Sequence, residues 1–207
     1  VGNAQAQAEL ITKNFLFNDG VYLNLAALQQ NKPSHEWSNV TASLVTNPQT
    51  FITKVEFIEQ KANAQKLDLQ QVWAVVIDGI PYVQFDNTLM DSSLASFAGL
   101  RVRGKICLFS HESKSIKTIT MNAYNPMTGT PFRTQEIERD EVFVQHKIMN
   151  FETGEVVTFN KDNFLKWIED DSQLTKTVQA MSAVEVREKL FKCLLIYVDR
   201  KEVFVKD

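Results

Sequence analysis

Glycine and proline are scarce in this chain, at 7 and 5 of 207 residues. With 44% apolar and 23% charged residues, that excludes collagen-like and disordered architectures. Cysteine is limited to Cys107 and Cys193. Both sit in apolar contexts and read as buried free thiols, while the spacing leaves a Cys107–Cys193 disulfide open. At this length the chain can bury a core without staples. No apolar run approaches the roughly 20 residues of a membrane-spanning helix. The net charge is −3 and the basic residues are dispersed, which argues against nucleic acid as a partner.

What is present centres on Val72–Phe85. Asp78-Gly79 lies between two runs rich in β-branched and aromatic residues and suits a two-residue type I′ turn, which needs φ > 0 at both positions. The implied register sets Ile77 opposite Ile80, Val75 opposite Tyr82 and Trp73 opposite Gln84 on one face. Val76 with Pro81, Ala74 with Val83 and Val72 with Phe85 take the other. Both faces are apolar, so both need cover. Pro81 predicts interrupted pairing on its outer side.

Upstream, 8–18 is expected to be partly helical. Asp19–Ser34 reads as a short strand, a helix capped by Asn24 with Leu23 and Leu28 as its staple, and a stop at Asn31 and Pro33. A short strand is expected at Val40–Val45, a strand at Phe51–Ile58 and a loop at Asp86–Ser96. Leu100–Leu108 alternates, with Leu100, Val102, Ile106 and Leu108 inward and Arg101, Arg103 and Lys105 forming an outer basic strip. Ser115–Tyr124 and Pro131–Ile137 flank a turn at Asn125–Gly129. Val142–Met149 is a further strand, turned by Glu152–Glu155 into Val156–Phe159.

The last 48 residues read as helices. Asn160 caps one, Asp171 or Ser172 a second, and Ser182-Ala183-Val184-Glu185 is the capping box of a third reaching about Val198. Helices of this kind are the expected cover for the second face of the central hairpin. Strands followed by segregated helices give α+β: an antiparallel, curled sheet of hairpins with a C-terminal helical segment packed on it. Residues 1–18 read as an export remnant and lead-in, with Ala4-Gln5-Ala6 in the form of a cleavage site. Residues 19–207 read as one domain, with its sheet in 19–159, helices in 160–198 and a tail in 199–207.

Chemistry-bearing motifs are few. His35, His111 and His146 have no His or Cys at metal-ligand spacing. His146 reads as a half-exposed structural histidine and His111-Glu112 as part of a polar loop. There is no Gly-x-Ser-x-Gly, no phosphate loop and no calcium loop, so no cofactor is implied. Glu136, Glu138 and Asp140 share one strand face and read as solvated. Asn39-Val40-Thr41 is a glycosylation sequon.

Asp19-Gly20-Val21-Tyr22-Leu23 with Asn31-Lys32-Pro33-Ser34, Val72-Trp73 leading to Asp78-Gly79, Phe151–Glu155 and Phe164-Leu165-Lys166 through Asp170-Asp171 follow one another along the chain. In these pieces it resembles a group of uncharacterised exported proteins of Bacteroidetes. The resemblance implies a secreted, periplasmic or outer-envelope location and no activity. The expected role is a non-enzymatic binding module whose partner is an envelope protein, glycan or lipid, with Arg101, Arg103, Lys105, Trp73 and Tyr82 as binding candidates. Two alternatives stand beside it. One is a carrier of an apolar molecule, suggested by 14 phenylalanines. The other is a hydrolase using Glu136, Glu138 and His146.

Overall fold

In the computed structural model, which describes residues 9–85 and 94–206, Asp78 and Gly79 have φ of +52° and +73°. They join strands β4 (Ala74–Ile77) and β5 (Ile80–Gln84) in the expected register, from Ile77 opposite Ile80 to Ala74 opposite Val83. A Cβ at Gly79 would lie 2.7 Å from Leu16 Cδ2, so space as well as φ demands glycine. The Gly79 N–H donates to Asp19 Oδ1 at 2.8 Å. On the outer side of β5, the ladder with β6 (Ala95–Gly99) starts at Tyr82 opposite Gly99, and Pro81 joins it only through its carbonyl, which accepts from the Leu100 N–H at 2.9 Å. Ala95 and Ser96 thus belong to a strand rather than the expected loop, of which residues 86–93 lie outside the described residues.

The Gln84 N–H still donates to the Trp73 carbonyl at 3.0 Å, as the expected pairing requires, but the alternation of side chains does not extend back to Trp73. A turn of 3-10 helix at Leu69–Gln71 precedes β4, which begins at Ala74. Val72 therefore packs with Val75 and Tyr82, while Trp73 packs in the cluster that holds Ala74 and Val76.

The sheet has six antiparallel strands in the order β1 (Gly20–Tyr22), β4, β5, β6, β3 (Ile52–Gln60), β2 (Val40–Asn47). It curls into a half-barrel. Val21 and Val40, from strands at opposite ends of that order, share one buried cluster with Val55, Val75, Tyr82 and Phe97. The gap between the ends is bridged by the Trp37–Asn39 turn. Trp37 Nε1 donates to the Val76 carbonyl at 2.8 Å, and Val21 and His35 exchange backbone hydrogen bonds. A bulge between Ser43 and Leu44 adds local twist. Helix α1 (Leu25–Gln29) follows β1, capped by Asn24 as expected, and Asn31 ends it at φ +52°.

A second antiparallel sheet is built from β7 (Ile106–Tyr124), β8 (Pro131–Asn150) and β9 (Val156–Thr158). Its root is apolar on both faces. Cys107, Phe109 and Met149 pack with Phe151 against Ala74, Val76, Val83 and Ala98 of the half-barrel. Ile106, Leu108 and Ile148 face the helices α2 (Lys161–Trp167), α3 (Ser172–Gln179) and α4 (Ala183–Arg200) through Phe164, Leu174, Leu190, Leu194 and Tyr197. Asn160 and Asp171 cap α2 and α3, and Ser182 with Glu185 forms the capping box of α4. The protein is α+β, a curled antiparallel sheet with C-terminal helices packed against it. The helices lie on the second sheet, and that sheet supplies the cover of the central hairpin. The doubly apolar root of β7 makes it a middle layer.

Residues 9–18 are not helical. Ile11, Phe15 and Phe17 enter the cluster between the sheets, and the Ile11 N–H donates to the Val203 carbonyl. A spacing of four and then two residues lets an extended strap bury all three, and a tail at Val203–Val205 pairs with it. The Ala4-Gln5-Ala6 motif lies outside the described residues. The chain forms two compact units, a body that runs to His111 and resumes at His146, and a hairpin unit, Glu112–Gln145.

Candidate functional site

The candidate binding residues of the body do not form one surface. The expected strand through Arg101, Arg103 and Lys105 is absent, because regular pairing begins only at Ile106. Each cation is tied to a different part of the body. Arg101 lies over the Phe51 ring, 4.9 Å from its centre, and donates to the carbonyls of Gln49 and Thr50. Arg103 donates to the carbonyls of Phe15, Gly79 and Lys13, clamping the strap to the central turn. Burial lowers its pKa from the ordinary arginine value. Lys105 pairs with Asp170 at 3.2 Å. Tyr82 is buried inside the half-barrel, where burial and then Asp78 raise its pKa. Trp73 is half-buried in the cluster between the sheets.

Spatially, the body brings together one pair that sequence reading did not join. The buried Ser110 on β7 has its Oγ 2.7 Å from Nδ1 of His146 on β8. His146 is solvent-accessible, while its bond to Ser110 is partly buried. His111, expected in a polar loop, is in β7 with its ring stacked on Phe85 at 4.4 Å between centres. A hydroxyl beside an imidazole is the start of a nucleophile pair, which also requires a group that orients the base. Among the described residues no carboxylate is hydrogen-bonded to the His146 ring. Cys107 is fully buried and its thiol is pushed up to about 12 by that burial, the character of an inert structural cysteine. Cys193 is also a buried free thiol, and its pKa is likewise raised by burial.

The hairpin unit offers the other concentration of chemistry. Asn125 organises its turn. The Asn125 N–H donates to the Thr130 carbonyl, its own carbonyl accepts from Gly129 at 2.8 Å, and its side chain accepts from the Met127 N–H. Gly129 sits at φ +66°, as a turn of this kind requires. Across the strands Thr134 donates to Asn122 at 3.0 Å, and Lys117 pairs with Glu141 at 3.6 Å. Ile116, Met121, Tyr124, Met127, Val142 and Phe143 are all exposed, Met127 at 94%. Charge is segregated along the unit. Between Thr118 and Gln135 the one charged residue is Arg133, whereas Glu136–Glu141 carries five charges in six positions. The acids Glu136, Glu138 and Asp140 are exposed, as expected of a solvated strand.

The signal for this long element was present. No Gly or Pro interrupts Phe132 to Glu152, so the stretches read as separate strands at 131–137 and 142–149 are one. No protein-family model, curated protein or solved structure matches the chain. Among the described residues, no helix is long and apolar enough to cross a membrane, and no cluster of His, Cys, Asp or Glu is placed to hold a metal ion.

Proposed function

We propose that this protein is a non-enzymatic interaction module of the bacterial cell envelope, and that the distal part of its hairpin unit is the contact element. One observation carries the reading. The exposed surface from Thr118 to Gln135 combines Met121, Tyr124, Met127 and Arg133 with no Lys, Asp or Glu. Cores of protein–protein interfaces have that bias, enriched in aromatic residues, Met and Arg and depleted of Lys, Glu and Asp. It favours a protein over a glycan or lipid as the partner. The envelope location is supported by the export-like Ala4-Gln5-Ala6 and by the resemblance to exported Bacteroidetes proteins. The carrier alternative loses its motive, since Phe15, Phe17, Phe97, Phe109, Phe151 and Phe164 fill packed clusters. The hydrolase alternative finds Ser110 as the partner of His146, with Glu136 and Glu138 in the other unit.

The test is quantitative cross-linking of the purified protein to envelope fractions, comparing the wild type with M121D/M127D. Loss of specific adducts in the variant is the expected result. Equal adducts from both proteins, or turnover in an esterase, glycosidase and peptidase screen that Ser110→Ala abolishes, would sink the proposal.

A further inference from the structure

We infer that a second copy of this chain docks on the outer edge of β7 between Ser115 and Tyr124, giving a two-fold dimer in which the two hairpins form one four-stranded antiparallel sheet. The inference rests on the reading of the hairpin as the contact element, and it assigns one edge of that element to a second copy. β7 is an outermost strand of its sheet, with β8 on its inner side. An unpaired edge presents a row of N–H and C=O groups that templates another strand, and folded proteins blunt such edges with charge, proline, bulges or short length. The stretch Ser115-Ile116-Lys117-Thr118-Ile119-Thr120-Met121-Asn122-Ala123-Tyr124 has no proline and a single charge, Lys117. It is rich in residues that favour strands, and none of its side chains is buried.

Symmetry then separates the two edges of the hairpin. Antiparallel pairing of a strand with its own copy requires a two-fold axis perpendicular to the sheet. Opposed side chains must share a face, so the axis passes through a residue and pairs positions equidistant from it. On β8, every axis from Glu136 to Glu141 sets carboxylate against carboxylate. Glu136 meets Glu138 about Ile137, and Glu138 meets Asp140 about Arg139. Like charges directly opposite are destabilising. On β7 an axis at Ile119 sets Ile119 against its copy, Thr118 against Thr120, Lys117 against Met121 and Ile116 against Asn122. No like charges meet there. Lys117 keeps its own partner Glu141 within the hairpin. Cross-strand pairs of β-branched residues stabilise such a sheet, and a two-stranded hairpin is marginal until further strands join it.

Sedimentation equilibrium of the full chain tests this, with T118E/T120E as the variant. Both threonines are exposed, so the variant keeps the fold, which the urea midpoint checks. The expected result is a wild type at twice the chain mass and a variant at the chain mass. Single cysteines placed at 118, 119 and 120 should cross-link between copies on oxidation, strongest at the position nearest the axis, while Glu138→Cys should not. A wild type at the chain mass at every concentration, a variant that remains dimeric, or growth without limit, which would mean β7 pairs with β8 of the next copy, each overturns the inference. A monomer that still cross-links to an envelope protein through Met121 and Met127 overturns it and leaves the proposed function standing. A monomer with no such adducts removes both.

Discussion

Strand β7 changes its economy part-way along. Ile106, Cys107, Leu108, Phe109 and Ser110 are all buried, and from His111 to Tyr124 no residue is. Both stretches favour strands, so propensity does not distinguish them. The difference lies in what stands on either side. The root has a sheet on one face and helices on the other, and each face contributes apolar side chains to a cluster. Beyond its backbone ladder, the hairpin unit is held by its turn and by exposed side-chain contacts such as Thr134 with Asn122 and Lys117 with Glu141, each worth little in water. A strand that is stable through burial is committed to the fold. One that is stable through its ladder alone keeps its side chains available.

Substitutions in the body should therefore be expensive. Phe164 is fully buried, edge-on to Phe159 and Tyr197. Phe164→Ala should lower stability by about 3–5 kcal/mol, read as a shift of the urea midpoint. A smaller loss would mean that the helices are loosely held on the second sheet. Gly79→Val comes next. Strain at positive φ costs about 1–3 kcal/mol, and Leu16 would have to move. An unchanged midpoint would mean that the Asp78-Gly79 turn tolerates other geometries.

Local chemistry made much of the body readable. Asn24, Asn160, Asp171 and Ser182 cap the helices predicted for them, because a cap is decided within a few residues. The register next to Asp78-Gly79, from Ile77 opposite Ile80 to Ala74 opposite Val83, follows for the same reason. Failures came where distant segments decide the outcome. Alternation at Leu100–Leu108 suggests a strand, but Arg103 finds carbonyls at Gly79 and, some 90 positions away, at Phe15 and Lys13, and those contacts set the backbone instead. The strap at 9–18 buries its residues only because the second sheet and the tail are there to receive them. Of the candidate site, the turn at Asn125–Gly129 was visible. The exposure of the residues around it was not, since an apolar strand reads alike whether or not something covers it.

A smaller effect sharpens the electrostatics of the body. Tyr197 OH donates to Asp170 Oδ1 at 2.9 Å and to the Trp167 carbonyl at 3.2 Å. Burial works to raise the pKa of Asp170, but hydrogen bonds from Lys201, Tyr197 and Lys105 outweigh it and hold the carboxyl below its usual value. A carboxylate depressed in the folded state stabilises above its unfolded pKa of about 4, and the contribution is lost as pH falls through the folded value. Tyr197→Phe removes one donor and narrows that difference. The variant should be about 1 kcal/mol less stable near neutrality, and the gap should shrink below pH ~4. Asp170 is partly exposed, so solvent keeps its share of that figure small. A gap that is constant with pH would assign the loss to the Trp167 carbonyl alone.

The smallest effect on stability belongs to the hairpin, and there it decides most. In M121D/M127D both altered side chains are exposed, Met127 at 94% and Met121 at 57%. Neither leaves a cavity, and aspartate at an exposed strand or turn position brings no buried charge. Surface changes of this kind stay within about 0.5 kcal/mol, so the urea midpoint should match the wild type while the envelope adducts disappear. The pairing of those two results is what separates a contact element from a structural one. If the midpoint fell by more than about 1 kcal/mol, Met121 or Met127 would be buried in the free protein. The hairpin would then be a second body built on the same principle as the first, and its exposed methionines would no longer point to a partner.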